Sequence, residues 1–271
     1  MHTLRRPAVA GSFYPGQAPV LARDVRALLE SAQADAAPST CVPKALIAPH
    51  AGYIYSGSTA AQAYAQLAPA RAAIRRVVIL GPVHRVPVRG LALSGATHFA
   101  TPLGEIPVDL TATALLRDLP QVVISPQAHA LEHSLEVQLP FLQLALNDFQ
   151  LVPLAVGDAS PQEVAQVLER LWGGPETLIV ISSDLSHYRP YAHAQQIDQV
   201  TVNTILHGQP TLSHEQACGA TPINGLLLAA TRHGLHPHLL GLCNSGDTAG
   251  DHARVVGYAA IAFTEDGHGT H

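Results

Sequence analysis

Val77-Val78-Ile79-Leu80-Gly81-Pro82-Val83-His84 is an apolar run that stops at a proline and then at a histidine. Its Val/Ile content and lack of polar alternation predict a strand buried on both faces, as in the interior of a parallel sheet. Upstream, Ala45-Leu46-Ile47-Ala48-Pro49-His50 repeats the pattern, and downstream residues 178–181 run into Ser182-Ser183-Asp184-Leu185-Ser186-His187. Ligands of such sheets sit beyond the carboxyl ends of the strands. Three strand ends carrying imidazole can therefore meet at one point, and imidazole is a common ligand of transition metals.

Around these strands the chain alternates. Helical spacing or composition marks residues 20–32, 58–67, 108–116, 131–146 (bent or divided at Pro140), 192–206 and 222–232; Ser160-Pro161-Gln162-Glu163 starts another helix, ending near Trp172. Further strands are expected at 44–48, 76–80, 91–94, 122–125 and 151–156, with 238–243 and 254–263 closing the chain as an antiparallel pair. Residues 34–43 read as a surface connection and those after Thr264 as a polar tail. The pattern predicts an α/β fold, one domain over 1–271 with a central, mostly parallel sheet covered by helices on both faces.

With 47% apolar and 13% charged residues in 271, the chain can bury a large core. A net charge of −5 and 14 dispersed arginines beside the single Lys44 give no field for nucleic acid. No apolar stretch approaches the roughly 18 residues of a membrane span, and the N-terminus lacks the apolar segment of a secretory signal. No membrane association and a cytoplasmic location are the expectations. Cys41, Cys218 and Cys243 are odd in number and widely spaced, which argues against a disulfide framework or a CxxC zinc site. The dinucleotide, P-loop and serine-hydrolase signatures are missing.

Pro49 and Gly52 flank His50 so that the strand end can present its imidazole at a set angle. Alone, His50 or His84 reads as a loop histidine satisfied by backbone; two after the same kind of strand, if the strands are adjacent, point to a shared site. Asp184 reads either as a helix cap or as a carboxylate orienting a neighbour, and His187 as a surface residue or an acid/base. His129-Ala130-Leu131-Glu132-His133 matches the H-x-x-E-H zinc-peptidase pattern if it lies on one helix; otherwise His133 alone faces the site and His129 is exposed. Cys218, beside a helix start, reads as inert packing or as a thiol of lowered pKa suited to metal ligation.

Several segments carry a resemblance: Pro7-Ala8-Val9-Ala10-Gly11-Ser12-Phe13-Tyr14-Pro15, residues 47–57 and 79–87, Glu132-His133-Ser134-Leu135-Glu136-Val137-Gln138-Leu139-Pro140, Ser182-Ser183-Asp184 with His187, and Cys218-Gly219 with Pro222-Ile223. In that order they resemble the Memo family, which is similar in fold to the class III extradiol ring-cleaving dioxygenases. The resemblance implies one transition metal ion, iron with copper or zinc as alternatives, on His50, His84 and Cys218, with Asp184, His187 and His133 as catalytic groups around it. In the dioxygenase relatives two histidines and a carboxylate hold Fe(II). A cysteine stands here where that carboxylate is expected, which softens the site. The resemblance also implies radical-SAM and AMMECR-type protein partners. Three functions follow as expectations: oxygen-dependent redox chemistry on a small molecule, a non-catalytic peptide- or protein-binding module using the same cleft, and a zinc peptidase through His129, Glu132 and His133.

Overall fold

The computed structural model describes residues 2–35 and 41–265. The first half of the chain contains β1 (Leu4–Arg5), α1 (Ala18–Asp35), β2 (Ala45–Ala48), α2 (Tyr53–Ala65), β3 (Arg76–Pro82), β4 (Leu91–Leu93), β5 (His98–Thr101), β6 (Gly104–Pro107), α3 (Leu110–Ala114), β7 (Val122–Ile124) and α4 (Pro126–Ala130). The second half contains α5 (Leu139–Ala145), β8 (Gln150–Val156), α6 (Pro161–Leu171), β9 (Thr177–Ser182), β10 (His187–Arg189), α7 (Tyr191–Leu206), α8 (Ala220–Arg232), β11 (Leu235–Asn244) and β12 (Val255–Glu265). The connection expected over 34–43 lies in part, at 36–40, outside the described residues, as does the tail 266–271.

Nine strands form the central sheet in the order β10-β12-β2-β9-β3-β8-β4-β7, with β11 also on β12. Its middle, β2-β9-β3-β8, is parallel. At one margin β12 runs antiparallel to β2, β10 and β11, and at the other β4 runs antiparallel to β8. Alternate strand residues serve opposite faces, as the pleat requires. Val77 and Ile79 join a core with α1, α2 and α5, while Val78 and Leu80 join one with α3, α6, α7 and α8. All four are fully buried, each contributing about 1.5–3 kcal/mol of apolar burial. The strand ends that carry the histidines are thus fixed by the best-packed part of the molecule. Among the described residues no helix is long and apolar enough to cross a membrane.

Four expectations need correction. The strands ending before His50 and His84 are not neighbours, because β9 lies between them. Residues 131–146 are not one helix: α4 stops at Ala130, a turn follows, a 3-10 turn covers Glu136–Gln138, and Pro140 sits in the first turn of α5, where its missing N–H costs nothing. Helix α2 begins at Tyr53, five residues before the helix read from composition. Gly57 is inside it because α1 packs there, a Cβ at 57 lying 3.1 Å from Leu28 Cδ1. Finally, β1, β5 and β6 make a small separate sheet that the apolar pattern did not announce.

Candidate metal centre

The loops after β2, β3 and β9 converge at the carboxyl edge of the parallel strands. Between the histidine-bearing ends, β9 supplies Ser182, whose hydroxyl donates to Ser134 O at 2.6 Å. Its proton thus committed, Ser182 Oγ accepts from Gln138 Nε2 at 2.8 Å and faces His50 Nδ1 at 2.9 Å. His50 Nδ1 must therefore carry the hydrogen of that bond, and Nε2 keeps its lone pair. Gln138 also donates to Pro49 O and accepts from the Tyr64 hydroxyl, clamping the turn before His50. Asp184 caps no helix. Its Oδ1 accepts the backbone amides of His50 (2.7 Å) and Ala51 (3.3 Å), so the carboxylate orients its neighbour. Burial pushes Asp184 upward in pKa, against the pull of His187 and of the His50 amide.

Glu132 organises the other two imidazoles. One carboxylate oxygen accepts the His84 amide at 2.6 Å; the other lies 2.8 Å from His84 Nδ1 and accepts the amides of His133 and Ser134, both at 2.9 Å. Burial works to raise this carboxyl, but the His84 ring and the amides of Ser134 and His84 outweigh it and hold it at about 2. Ionised, Glu132 can only accept, which places the hydrogen of His84 on Nδ1 and frees Nε2. His133 Nδ1 lies 3.3 Å from the same oxygen. Four residues on, buried Glu136 accepts from Arg5, Ala8 N, Val9 N and the Tyr14 hydroxyl, tying the N-terminal segment to the loop that carries Glu132.

One donor atom each from His50, His84 and His133 lie within 4.8 Å of one another, with ring centroids 5.3, 5.3 and 4.6 Å apart. Burial, followed by the other two rings, pushes His50 well below the ordinary histidine pKa, and burial with His84 lowers His133. Cys218 Sγ lies 3.4 Å from His50 Nε2, held there because the amide of Gly219 bonds Ser183 Oγ at 2.9 Å. A Cβ at residue 219 would fall 2.7 Å from Ser183 Cβ, so only glycine allows α8 to start this close to β9. The low thiol pKa expected from the helix start is corrected. Burial and the neighbouring Asp184 push Cys218 up to about 12, since desolvation outweighs the helix end.

His187 sits on β10 with Nδ1 2.8 Å from Leu185 O, so it donates there and turns Nε2 to the cleft. The cleft, about 1100 Å³, is lined by His50, His84, His133, Asp184, His187 and Cys218, with Arg85, Arg189, Arg254, Glu215 and Asp251 among its charged residues. All six residues singled out from the sequence thus face one space. The zinc-peptidase geometry is not formed. His129 lies in the last turn of the five-residue α4, is 1% exposed rather than on the surface, and bonds Ala92 O through Nε2 at 2.7 Å. Sequence reasoning missed Glu132 as an orienting group, together with Ser182, Ser134 and Gln138. Their signal was present only as membership in the quoted segments, because a buried polar residue is recognisable as such once its partners are known.

Residues 5–262 match the family described as Memo-like protein. The chain is 34% identical to a MEMO1 family protein of Archaeoglobus fulgidus, covering 96% of this chain and 99% of the relative. It is 36% identical to a MEMO1 family protein of Methanosarcina mazei over 95% and 98% of the two chains. The crystal structure of an uncharacterized protein, JW3007, from Escherichia coli K12 superimposes with a TM-score of 0.48 at 15% identity, covering 80% of this chain and 99% of that one. On the strength of the full-length match and these relatives, the chain belongs to the Memo family.

Proposed function

We propose that this protein is a mononuclear transition-metal protein that performs oxygen-dependent redox chemistry on a small molecule. The observation that carries the reading is the state of the donors. His50 and His84 each have Nδ1 committed to a protein acceptor and Nε2 left with a lone pair, as histidines awaiting a metal do. The thiol of Cys218 stands 3.4 Å from His50 Nε2. Sulfur and nitrogen ligands at about 2.3 and 2.0–2.1 Å from a tetrahedral ion lie about 3.6 Å apart, so the Cys218–His50 spacing suits two donors to one ion, while the three donors that lie within 4.8 Å of one another are those of His50, His84 and His133. His50, His84 and Cys218 would hold it, and the thiol would lose its proton on binding. Iron is the ion proposed, with copper and zinc as the alternatives the thiol donor admits.

A bound redox ion would supply electron transfer to dioxygen. The remaining residues act on the substrate. His187, with Nε2 toward the cleft, accepts or gives a proton. His133 polarises what enters between the imidazoles, and Asp184 keeps His50 in place. Arginines and acids together in the cleft suit a polar substrate. The family resemblance supports radical-SAM and AMMECR-type partners. A second reading, a peptide-binding module, is favoured by cleft size, since 1100 Å³ exceeds the roughly 300–1,000 Å³ of small-molecule sites. Elemental analysis after anaerobic purification separates them: a redox metal near one equivalent supports the enzyme reading, while metal-free protein that binds peptide through this cleft supports the module.

A further inference from the structure

A second cluster of donors lies outside the cleft, in the small sheet. Strand β1 pairs in parallel with β5, placing Leu4 beside His98 and Arg5 beside Phe99. Just before it, Thr97 N donates to Thr3 O at 2.9 Å, which holds His2 near His98. In the β5–β6 hairpin Ala100 stands opposite Glu105. His98 and Ala100 share one face of the strand, so Glu105 lies diagonal to His98 on that face, while Phe99 and Ile106 enter the core.

His2 Nε2 is 3.0 Å from Glu105 Oε2, and the His2 and His98 ring centroids are 4.5 Å apart. One donor atom each from His2, His98 and Glu105 lie within 4.8 Å of one another. Thr97 Oγ1 donates to Thr3 O at 3.0 Å and accepts from Thr3 N at 3.0 Å. Its proton is therefore committed, and His98 Nδ1, 3.0 Å away, must be the donor of the third bond. This is the arrangement Ser182 makes with His50: a hydroxyl without a proton to give fixes Nδ1–H and leaves Nε2 with its lone pair. An exposed His–Glu pair by itself contributes little to stability and gives no reason for a second imidazole to stand against it. Zinc ligands at about 2.0–2.2 Å would lie roughly 2.9–3.4 Å apart for angles between right and tetrahedral, a range that includes the His2–Glu105 separation.

We propose that His2, His98 and Glu105 form a peripheral site for a divalent transition ion of the zinc class. Two imidazoles and one carboxylate favour such an ion over magnesium or calcium, which take oxygen ligands. The ion would cross-link the segment preceding β1 to both strands of the hairpin, with its remaining positions open to water. This site does not depend on the reading of the cleft.

The test is zinc titration of the full chain by calorimetry in a His50→Ala/His84→Ala background, which removes two of the three ligands proposed for the cleft. The background protein is expected to bind one zinc, and adding His98→Ala is expected to weaken that binding at least tenfold. Glu105→Gln should do the same and serves as the readout if circular dichroism shows that the His98 variant is not folded. The histidines of the 266–271 tail are present in every variant and cannot account for a difference. No zinc bound by the background protein, or a loss smaller than tenfold in the folded variants, overturns the proposal.

Discussion

His84 and Glu132 meet twice: the backbone amide of His84 donates to one carboxylate oxygen at 2.6 Å, and its Nδ1 lies 2.8 Å from the other. The double contact fixes both the position of the residue and the tautomer of its ring. The nitrogen proposed to bind the ion is thus set by a residue 48 positions away in sequence.

Glu132→Gln keeps the volume but removes the charge that selects this tautomer. Metal affinity, measured by competition with a chelator, should fall about 10–100-fold, as for other outer-sphere partners of ligating histidines. Unchanged affinity would show that Glu132 serves only the loop.

Ser182→Ala strips His50 Nδ1 and Gln138 of an acceptor and Ser134 O of a donor in a fully buried place. Denaturant unfolding should show a loss of about 1–3 kcal/mol, with weaker metal binding alongside it.

Arg5→Met leaves Glu136 buried without its cation. A buried ion pair broken on one side costs about 3–5 kcal/mol, and chemical denaturation should report a loss of that order. Because Arg5 also donates to His129 O and Glu132 O, the loss should extend to the Glu132 loop, seen as faster amide exchange at His133 and Ser134.

The pH dependence of the ion-free protein follows from its buried histidines. His129 is lowered to about 4 by burial, and His50 and His133 are also lowered. Each is neutral in the fold over a range where the unfolded chain takes up a proton. Their contribution is therefore fully present above the unfolded value of 6.5 and is lost as pH falls through the folded one. Asp184 and Asp198, both raised, oppose this trend at lower pH. His129→Gln retains a donor for Ala92 O but does not titrate. Between pH 6 and 5 the slope of unfolding free energy against pH should be shallower than in the wild type by about 1.2 kcal/mol per pH unit. An unchanged slope would mean that His129 titrates normally.

The central strands and the histidines at their ends were legible because burial on both faces leaves an unbroken apolar run and a proline marks its end. The order of the strands was not, since nothing in residues 45–48 or 76–82 says that β9 separates them. Residues 131–138 were misread as helix for a related reason. Leu131, Leu135 and Leu139 have helical spacing, but Glu132, Ser134, Glu136 and Gln138 fold as a turn because each finds buried partners from a distant element. Cys218 was recognised by its place before α8, while its raised pKa depends on packing against β9 and Asp184, which local sequence does not encode.

The central claim is that His50 and His84 share one ion. The most direct measurement is the metal content of anaerobically purified wild-type, His50→Ala and His84→Ala proteins, with circular dichroism confirming the fold of each. The account predicts about one transition metal ion per wild-type chain and its loss from both folded variants. Full metal retention in both would contradict it.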